Sequence, residues 1–457
     1  MGVTQELAVW AVATGYEELP PVVVDRSKTA IIDTTAAILA GAREPVTRIV
    51  AETVAEDGCR PVATQLGTGF RTSAENAALL NGVSGHALDY DDVSASVEGH
   101  PSVVVTPAAL AAAEVAGASG AGLLSAYAVG VEVMAKLALA LGPDHYRAGW
   151  HATSTLGTLG ATTAAGRLLG LDPAQMAAAL GIAVSEASGS RQNFGTMVKP
   201  FHAGHAARCG VQAARLARGG MTASAEALEG PVGYLALFSG GSGPVSPLGL
   251  GAPWDLEVTG LSVKKYPCCF AIHRAADGLL AARARGLRPE HVDEISVTVP
   301  RGGLEPLIYQ RATTGLEGKF CMGYALAAAL RDGRLGLDTF TDPMVARPGV
   351  QGLAERVRAR ENPALEVRHN PIDEAYVEVK VRLRDGSQIT ERVEQPLGAP
   401  ARPLGTDDLR TKYGDCAARV LPPEQVESSL RTLERLEALT SVTRLVNELT
   451  PAGVAVP

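Results

Sequence analysis

The side chains able to move protons or hold anions gather in five short segments of the 457-residue chain. The first runs Gly85-His86-Ala87-Leu88-Asp89-Tyr90-Asp91-Asp92 and resumes at Glu98-Gly99-His100-Pro101-Ser102. The second, Gly149-Trp150-His151-Ala152-Thr153-Ser154-Thr155, sets a histidine and three hydroxyls ahead of an Ala/Gly-rich run. Hydroxyls and free N–H groups at a helix start can bind an anion or simply cap the helix. The third holds Lys199, His202, His205 and Arg208; the fourth is Lys264-Lys265-Tyr266-Pro267-Cys268-Cys269, followed by His273. The fifth is Lys319-Phe320-Cys321-Met322-Gly323-Tyr324. Taken singly, the segments also read as a polar helix end, a cap or a surface turn, with capping the better reading of the second and a core phenol the better reading of Tyr324.

Together they suit a substrate bearing several carboxylates. Lysine and protonated histidine neutralise the carboxylates, and a neighbouring base with a shifted pKa moves a proton on the adjacent carbon. Arg outnumbers Lys by 33 to 8, yet Lys199, Lys264, Lys265 and Lys319 all fall in these segments. His and Asp are also good metal ligands, but no HExxH spacing accompanies them, and no metal is expected. No GxGxxG or GxxxxGK[ST] is present, so no nucleotide cofactor is indicated. Adjacent Cys268-Cys269 are poorly arranged for an iron–sulfur cluster. Asp89-Tyr90-Asp91-Asp92 fits the DxDD pattern of proton-initiated terpene cyclases. Those enzymes line their pockets with aromatics, and 4% aromatic content argues against that reading. A non-catalytic helical scaffold would not need lysines and histidines concentrated in this way.

Composition narrows the partners. Apolar residues make up 46% and charged residues 20%, which excludes a disordered chain. With 41 cationic and 49 anionic residues the net charge is −8, and no basic stripe marks a nucleic-acid surface. Six cysteines without a CxxC pair form no disulfide framework, so a reducing cytoplasm is the expected location. The start, MGVTQELAVW, lacks the pattern of a signal peptide. The most lipid-like stretch, residues 115–131, is too short for a membrane span and reads as a buried helix.

The elements that must position these residues divide the chain by texture. Up to about residue 260 it is Ala-rich and helical in pattern. Pro20-Pro21 opens a helix that runs to Gly41. Thr72 and Glu75 have capping-box spacing. Pro107 opens a run over residues 108–141, and residues 156–169 and 173–185 continue the theme. Near residue 290 the period changes to two. Residues 295–299, 377–383 and 388–393 read as strands, with a hairpin turn at Asp385-Gly386. Residues 322–330 and 349–359 read as helices between them. Leu430, Leu433, Leu436, Leu439, Val442 and Leu445 then make one buried helical face. The expected fold is mainly α: a large all-α helical domain (residues 1–262, completed by residues 399–457) with an inserted smaller α+β domain (residues 263–398).

Segments 85–92, 99–102, 151–157, 199–205 and 264–269, in this order across almost the whole chain, resemble the signature stretches of the MmgE/PrpD family. The resemblance implies a helical domain with an α+β lid, a homodimer, and no metal or other cofactor. It also implies reactions of the kind that family carries out: 2-methylcitrate dehydration, cis-aconitate decarboxylation and iminodisuccinate epimerisation. By motif, Asp89 resembles the family's active-site Asp, and His100 resembles its proposed proton donor or acceptor. His151 and Lys199 resemble its next cationic groups, and Tyr324 resembles its lid Tyr. These five are the expected catalytic residues; Lys264, Cys269, Thr153 and His202 are expected to contact substrate. Cys269 and Val93 stand where the decarboxylase has His and Thr, a loss of two polar contacts that argues against cis-aconitate. The activity expected first is therefore a hydro-lyase of the 2-methylcitrate dehydratase type, with Tyr324 or His100 as the acid at the leaving oxygen. The alternatives are an epimerase of an iminodisuccinate-like dicarboxylate, with Cys269 serving the second face, and a cis-aconitate-type decarboxylase.

Overall fold

A computed structural model describes residues 2–239, 248–365 and 375–451. The molecule is mainly α. Its helices start where local chemistry supplies a start. Pro21–Gly41 carries proline in its first turn, and Pro173–Glu186 is closed by a capping box between Asp172 and Gln175. Two expectations shift. The helix Ala74–Ala87 is capped by Ser73, whose Oγ accepts the Asn76 N–H at 3.2 Å. Thr72 instead pairs with Ala63 in a two-stranded ladder. Pro107 lies inside the helix Ser102–Ala116 rather than opening one. Gly117, at φ 63°, ends that helix, and Ser119 caps a separate one, Gly120–Leu141. This last helix is long and apolar enough to cross a membrane by length and composition, and 89% of its most apolar window is buried inside the fold.

Small residues set how closely the helices approach. A Cβ on Gly82 would lie 2.6 Å from Gly204 Cα, so Ala74–Ala87 and Val198–Arg218 touch backbone to backbone. A Cβ on Gly210 would lie 2.4 Å from Ala161 Cβ, which presses Val198–Arg218 equally hard onto Ala152–Leu168. Three helices thereby converge, and each brings a polar group near the same point: His86, Lys199, and His151 at the start of Ala152–Leu168.

Beyond residue 265 a second core forms, from Tyr266 to Val381. Its four-stranded sheet has the order Val357–Asn362, Val292–Pro300, Val377–Leu383, Gln388–Val393. Val292–Pro300 runs parallel to Val357–Asn362 and antiparallel to Val377–Leu383. Ile295, Val297, Val299, Val377, Val379 and Val381 are buried. The period-two reading holds here. The helix expected over residues 349–359 ends at Ala354, and the following residues join the sheet edge as Val357–Asn362. Edge pairing satisfies the backbone of that Arg-rich segment, so tertiary hydrogen bonding overrides local preference.

The tail returns to the first core. It forms Pro423–Glu434, a short 3₁₀ turn and Val442–Glu448, not one continuous helix. Leu433, Leu436, Leu439, Val442 and Leu445 still point inward, because each break re-aims the chain onto the same surface. Gly204→Ala is expected to destabilise the protein by about 1–3 kcal/mol, the usual cost of overpacking, because its Cβ would fall 2.3 Å from the Leu79 carbonyl oxygen. Chemical denaturation of the variant against wild type measures this.

Candidate active site

The helix Ala74–Ala87 ends just before Asp89, whose backbone turns left-handed at φ 52°. Such a conformation is uncommon outside glycine, and Asp is among the residues that tolerate it best. It aims the carboxylate at two lysines from distant elements. Lys199 Nζ, from the start of Val198–Arg218, donates to Asp89 Oδ1 at 2.6 Å. Lys264 Nζ lies 3.0 Å from Asp89 Oδ2 and donates to the Asp89 carbonyl at 2.8 Å. All three side chains are buried. Burial alone would raise the Asp89 pKa, but the ammonium groups of Lys199 and Lys264 hold it well below the usual carboxylate range. Burial opposes the charge on Lys264, and Asp89 overcomes that, raising its pKa.

Lys199 also donates to His86 Nε2 at 2.8 Å, and it lies beside the neighbouring rings of Phe194 and Phe320, 5.4 Å from each centroid. His86 Nδ1 faces both oxygens of Asp91, at 2.9 and 3.0 Å. The hydrogen-bond pattern therefore assigns the proton to Nδ1 and the lone pair to Nε2. Asp91 reaches His100 Nδ1 as well, at 3.1 Å, and that nitrogen also bonds the Asp92 carbonyl at 2.8 Å. With Nδ1–H so engaged, His100 keeps Nε2 as its basic nitrogen. The Asp91 carboxylate is thus a fixed acceptor beneath two imidazoles, held well below its usual range by His86 and His100 against the opposing effect of burial. Next to it, Asp92 is pushed well above the usual range, by burial first and then by Asp33. Its carboxyl group accepts from the Ser102 hydroxyl.

Asp89, His100, His151, Lys199, Lys264 and Cys269 all line one cavity of about 70 Å³. His151 Nδ1 bonds His202 Nδ1 at 3.1 Å, whereas His151 Nε2 is buried without a partner. A buried, unpaired nitrogen in a cavity wall is a place for a ligand oxygen. Burial holds the Cys269 thiol at about 11, so it is neutral near pH 7.

Three expected residues have other places. Tyr324 is packed within the second core, its OH donating to the Thr339 carbonyl at 2.5 Å, and does not line this cavity. The buried face of Met322–Asp332 carries it away from the cavity. Thr153 does not line the cavity either; its Oγ1 accepts the His100 backbone N–H at 3.0 Å and so fixes that histidine. His202 stands behind His151 as its hydrogen-bond partner. Sequence reasoning passed over His86 and Asp91 as individual actors, although both lie in the first segment. Two further lysines brace the site: Lys319, which the sequence placed in the fifth segment without a role, and Lys412, which it passed over. Lys319 Nζ donates to the carbonyls of Leu88 and Pro267, at 2.7 and 2.8 Å. Lys412 donates to the carbonyls of Tyr90 and Lys264, at 2.7 and 2.9 Å, and pairs with Asp33 at 2.6 Å.

His86, Asp89, Asp91 and His100 bring nitrogen and oxygen atoms within 4.8 Å of one another, a grouping that invites a metal reading. The lysines argue against it. Lys199 already binds Asp89 and His86 Nε2, and Lys264 occupies the other Asp89 oxygen, so built-in ammonium groups supply the positive charge.

Comparison with known proteins agrees with this layout. Residues 5–246 match the MmgE/PrpD N-terminal domain and residues 266–438 the MmgE/PrpD C-terminal domain. A cis-aconitate decarboxylase from Homo sapiens is 30% identical over 95% of this chain and 92% of its own length. One from Aspergillus terreus is 29% identical over 98% and 96%. A 2-methylcitrate dehydratase from Cupriavidus necator is 33% identical over 26% of each chain.

His86, His100, His151 and His202 are all held below the ordinary imidazole value, His86 at about 3 and His202 at about 4. Burial is the largest cause in each, and Lys199 pushes the same way. Below about pH 6.5 the unfolded chain binds protons that these rings refuse, so stability falls as pH falls toward the folded values. Lys199→Met is expected to lift the His86 midpoint above about 3 in an NMR titration. The same variant should flatten the loss of stability at the acid end of the window, as pH falls from about 6.5 toward about 3, in denaturation experiments.

Proposed function

Because the chain belongs to the MmgE/PrpD family, we propose that it is a cofactor-independent lyase acting on a small di- or tricarboxylate. Its central step is proton transfer at the carbon next to a carboxylate. The observation that carries this reading is the meeting of Lys199, Lys264, His151 Nε2 and the His100 imidazole in one buried cavity. Lys199, Lys264 and His151 take the substrate carboxylates. Their fixed positive and N–H groups lower the cost of the enediolate-like charge that forms when the proton leaves. His100 is the base: burial keeps it neutral, and Asp91 holds its Nδ1–H so that Nε2 is available.

Which bond then breaks has two supported readings. Val93 and Cys269 both line the cavity, where the resemblance places Thr and His in the decarboxylase. That difference favours a substrate other than cis-aconitate and a dehydratase of the 2-methylcitrate type, in which a β-hydroxyl leaves as water. Similarity over nearly the full chain to cis-aconitate decarboxylases favours loss of CO₂ instead. Epimerisation needs a base on the second face, and the neutral Cys269 thiol is a weak one. A homodimer, from the family resemblance, and a reducing cytoplasm, from six cysteines without a CxxC pair, complete the proposal.

The test is NMR in D₂O with 2-methylcitrate, citrate, cis-aconitate and iminodisuccinate supplied separately. A new vinyl signal with loss of the hydroxyl identifies the dehydratase, release of ¹³CO₂ the decarboxylase, and deuterium in an intact skeleton the epimerase. Silence across the panel overturns the polycarboxylate reading. With the substrate that reacts, His100→Ala is expected to lower turnover by about 10²–10⁴-fold, the usual worth of a positioned base. Retention of full turnover would remove His100 from that role.

A further inference from the structure

Water elimination needs two proton carriers, a base for the carbon and an acid for the departing oxygen. His100 supplies the first, and Tyr324 is bonded elsewhere. One other carboxyl group reaches the cavity from a different direction. Glu98 lines the 70 Å³ cavity together with His100 and Lys199, and it also lines an adjoining cleft of about 630 Å³. Tyr146, Phe270 and Pro306 border both spaces, so Glu98 sits on the wall that the two share.

Its backbone is unusual. Among the described residues only Asp89 and Glu98 hold positive φ without being glycine, both at 52°, and both line the cavity. Strained conformations of this kind gather at functional sites. The Ser94–Gly99 bridge closes the turn that presents Glu98. Gly99 is seated so tightly that a Cβ there would meet the Thr153 nitrogen at 2.8 Å. The turn is therefore pressed onto the start of the helix that carries His151.

We propose that Glu98 is the acid that gives its proton to the leaving hydroxyl of a β-hydroxy polycarboxylate. The inference rests on the dehydratase reading above. His100 Nε2 takes the proton from the carbon beside a carboxylate, and that C–H electron pair becomes the new C=C bond. The C–O bond breaks with its electron pair on oxygen, the Glu98 proton joins that oxygen, and water departs. His100 is left as imidazolium and Glu98 as carboxylate. The outer cleft lets solvent carry the proton from one to the other, which closes the cycle with no other reactant.

The surroundings agree. Arg147 and Arg191 favour the ionised carboxyl, Glu305 opposes it, and Tyr146 stands alongside. Arg191 is shared, 3.8 Å from Glu305 and 3.7 Å above the Tyr146 ring. Burial outweighs the arginines and lifts the Glu98 pKa to about 7, so a large fraction carries a proton at neutral pH.

The test compares citrate with tricarballylate, which lacks the hydroxyl, by calorimetric binding to the full chain. Glu98→Ala is expected to weaken citrate about tenfold and to leave tricarballylate unchanged, which also shows that the variant is folded. Glu98→Gln keeps a donor but no transferable proton. It should bind citrate as wild type does and lose elimination with the hydroxy acid that reacts in the panel above. Equal effects of Glu98→Ala on both ligands, or full elimination by Glu98→Gln, overturn the proposal. Lys199→Ala separates the two levels. If it abolishes binding of both acids while Glu98→Ala changes neither, the polycarboxylate reading stands and the Glu98 role falls. If wild type binds neither acid, both fall.

Discussion

Asp89 carries one negative charge between two buried ammonium groups, and the geometry around the cavity is arranged to keep it there. An unpaired carboxylate at such depth costs several kcal/mol. Lys199 and Lys264 remove that cost, and each is bonded to Asp89 itself. The trio leaves one net positive charge facing a small cavity walled by Phe194 and Phe320. In a low-dielectric setting that charge acts strongly on an incoming carboxylate. It also adds to burial in keeping the neighbouring imidazoles neutral, so the same interaction that attracts an anion helps prepare a base.

Holding the trio requires parts of the chain that are far apart in sequence. Asp89 follows one helix, Lys199 begins another, and Lys264 precedes the second core. Glycine-to-glycine contact between Ala74–Ala87 and Val198–Arg218 brings the first two within hydrogen-bond range. Lys319 fixes the segment that carries Lys264 by bonding Leu88 on one side and Pro267 on the other. Lys412, from the returning tail, ties Tyr90 to Lys264. The tail thus does more than fill the first core. It clamps the two segments that present the charged trio.

The arrangement divides labour between lysines of similar burial. Lys199 and Lys264 face the cavity, whereas Lys319 and Lys412 spend their donors on backbone carbonyls and Asp33. Burial lowers Lys319 to about 8, which reflects its distance from full compensation by carboxylates. The preference for lysine over arginine at these points has a geometric reason. A compact ammonium fits among converging carbonyls where a planar guanidinium would not.

Much of this was legible in the sequence. Residue types alone marked the segments holding Asp89, His100, His151, Lys199, Lys264 and Cys269, because charged and titratable groups in an Ala-rich helical chain need a reason to be there. Periodicity identified the strands at residues 295–299, 377–383 and 388–393, since a half-buried sheet forces alternation. What the sequence could not decide was direction. Tyr324 turns into its own core, Thr153 holds a backbone N–H, and His202 backs His151, because helix rotation and packing set where each side chain points. Glu98 was visible as one acid among four, but its place between the cavity and the outer cleft depends on a left-handed turn wedged against another helix. Residue chemistry is a local property and can be read along the chain. Distances of a few ångströms between segments more than a hundred residues apart are fixed only when the helices close on their glycines, and that is a property of the fold.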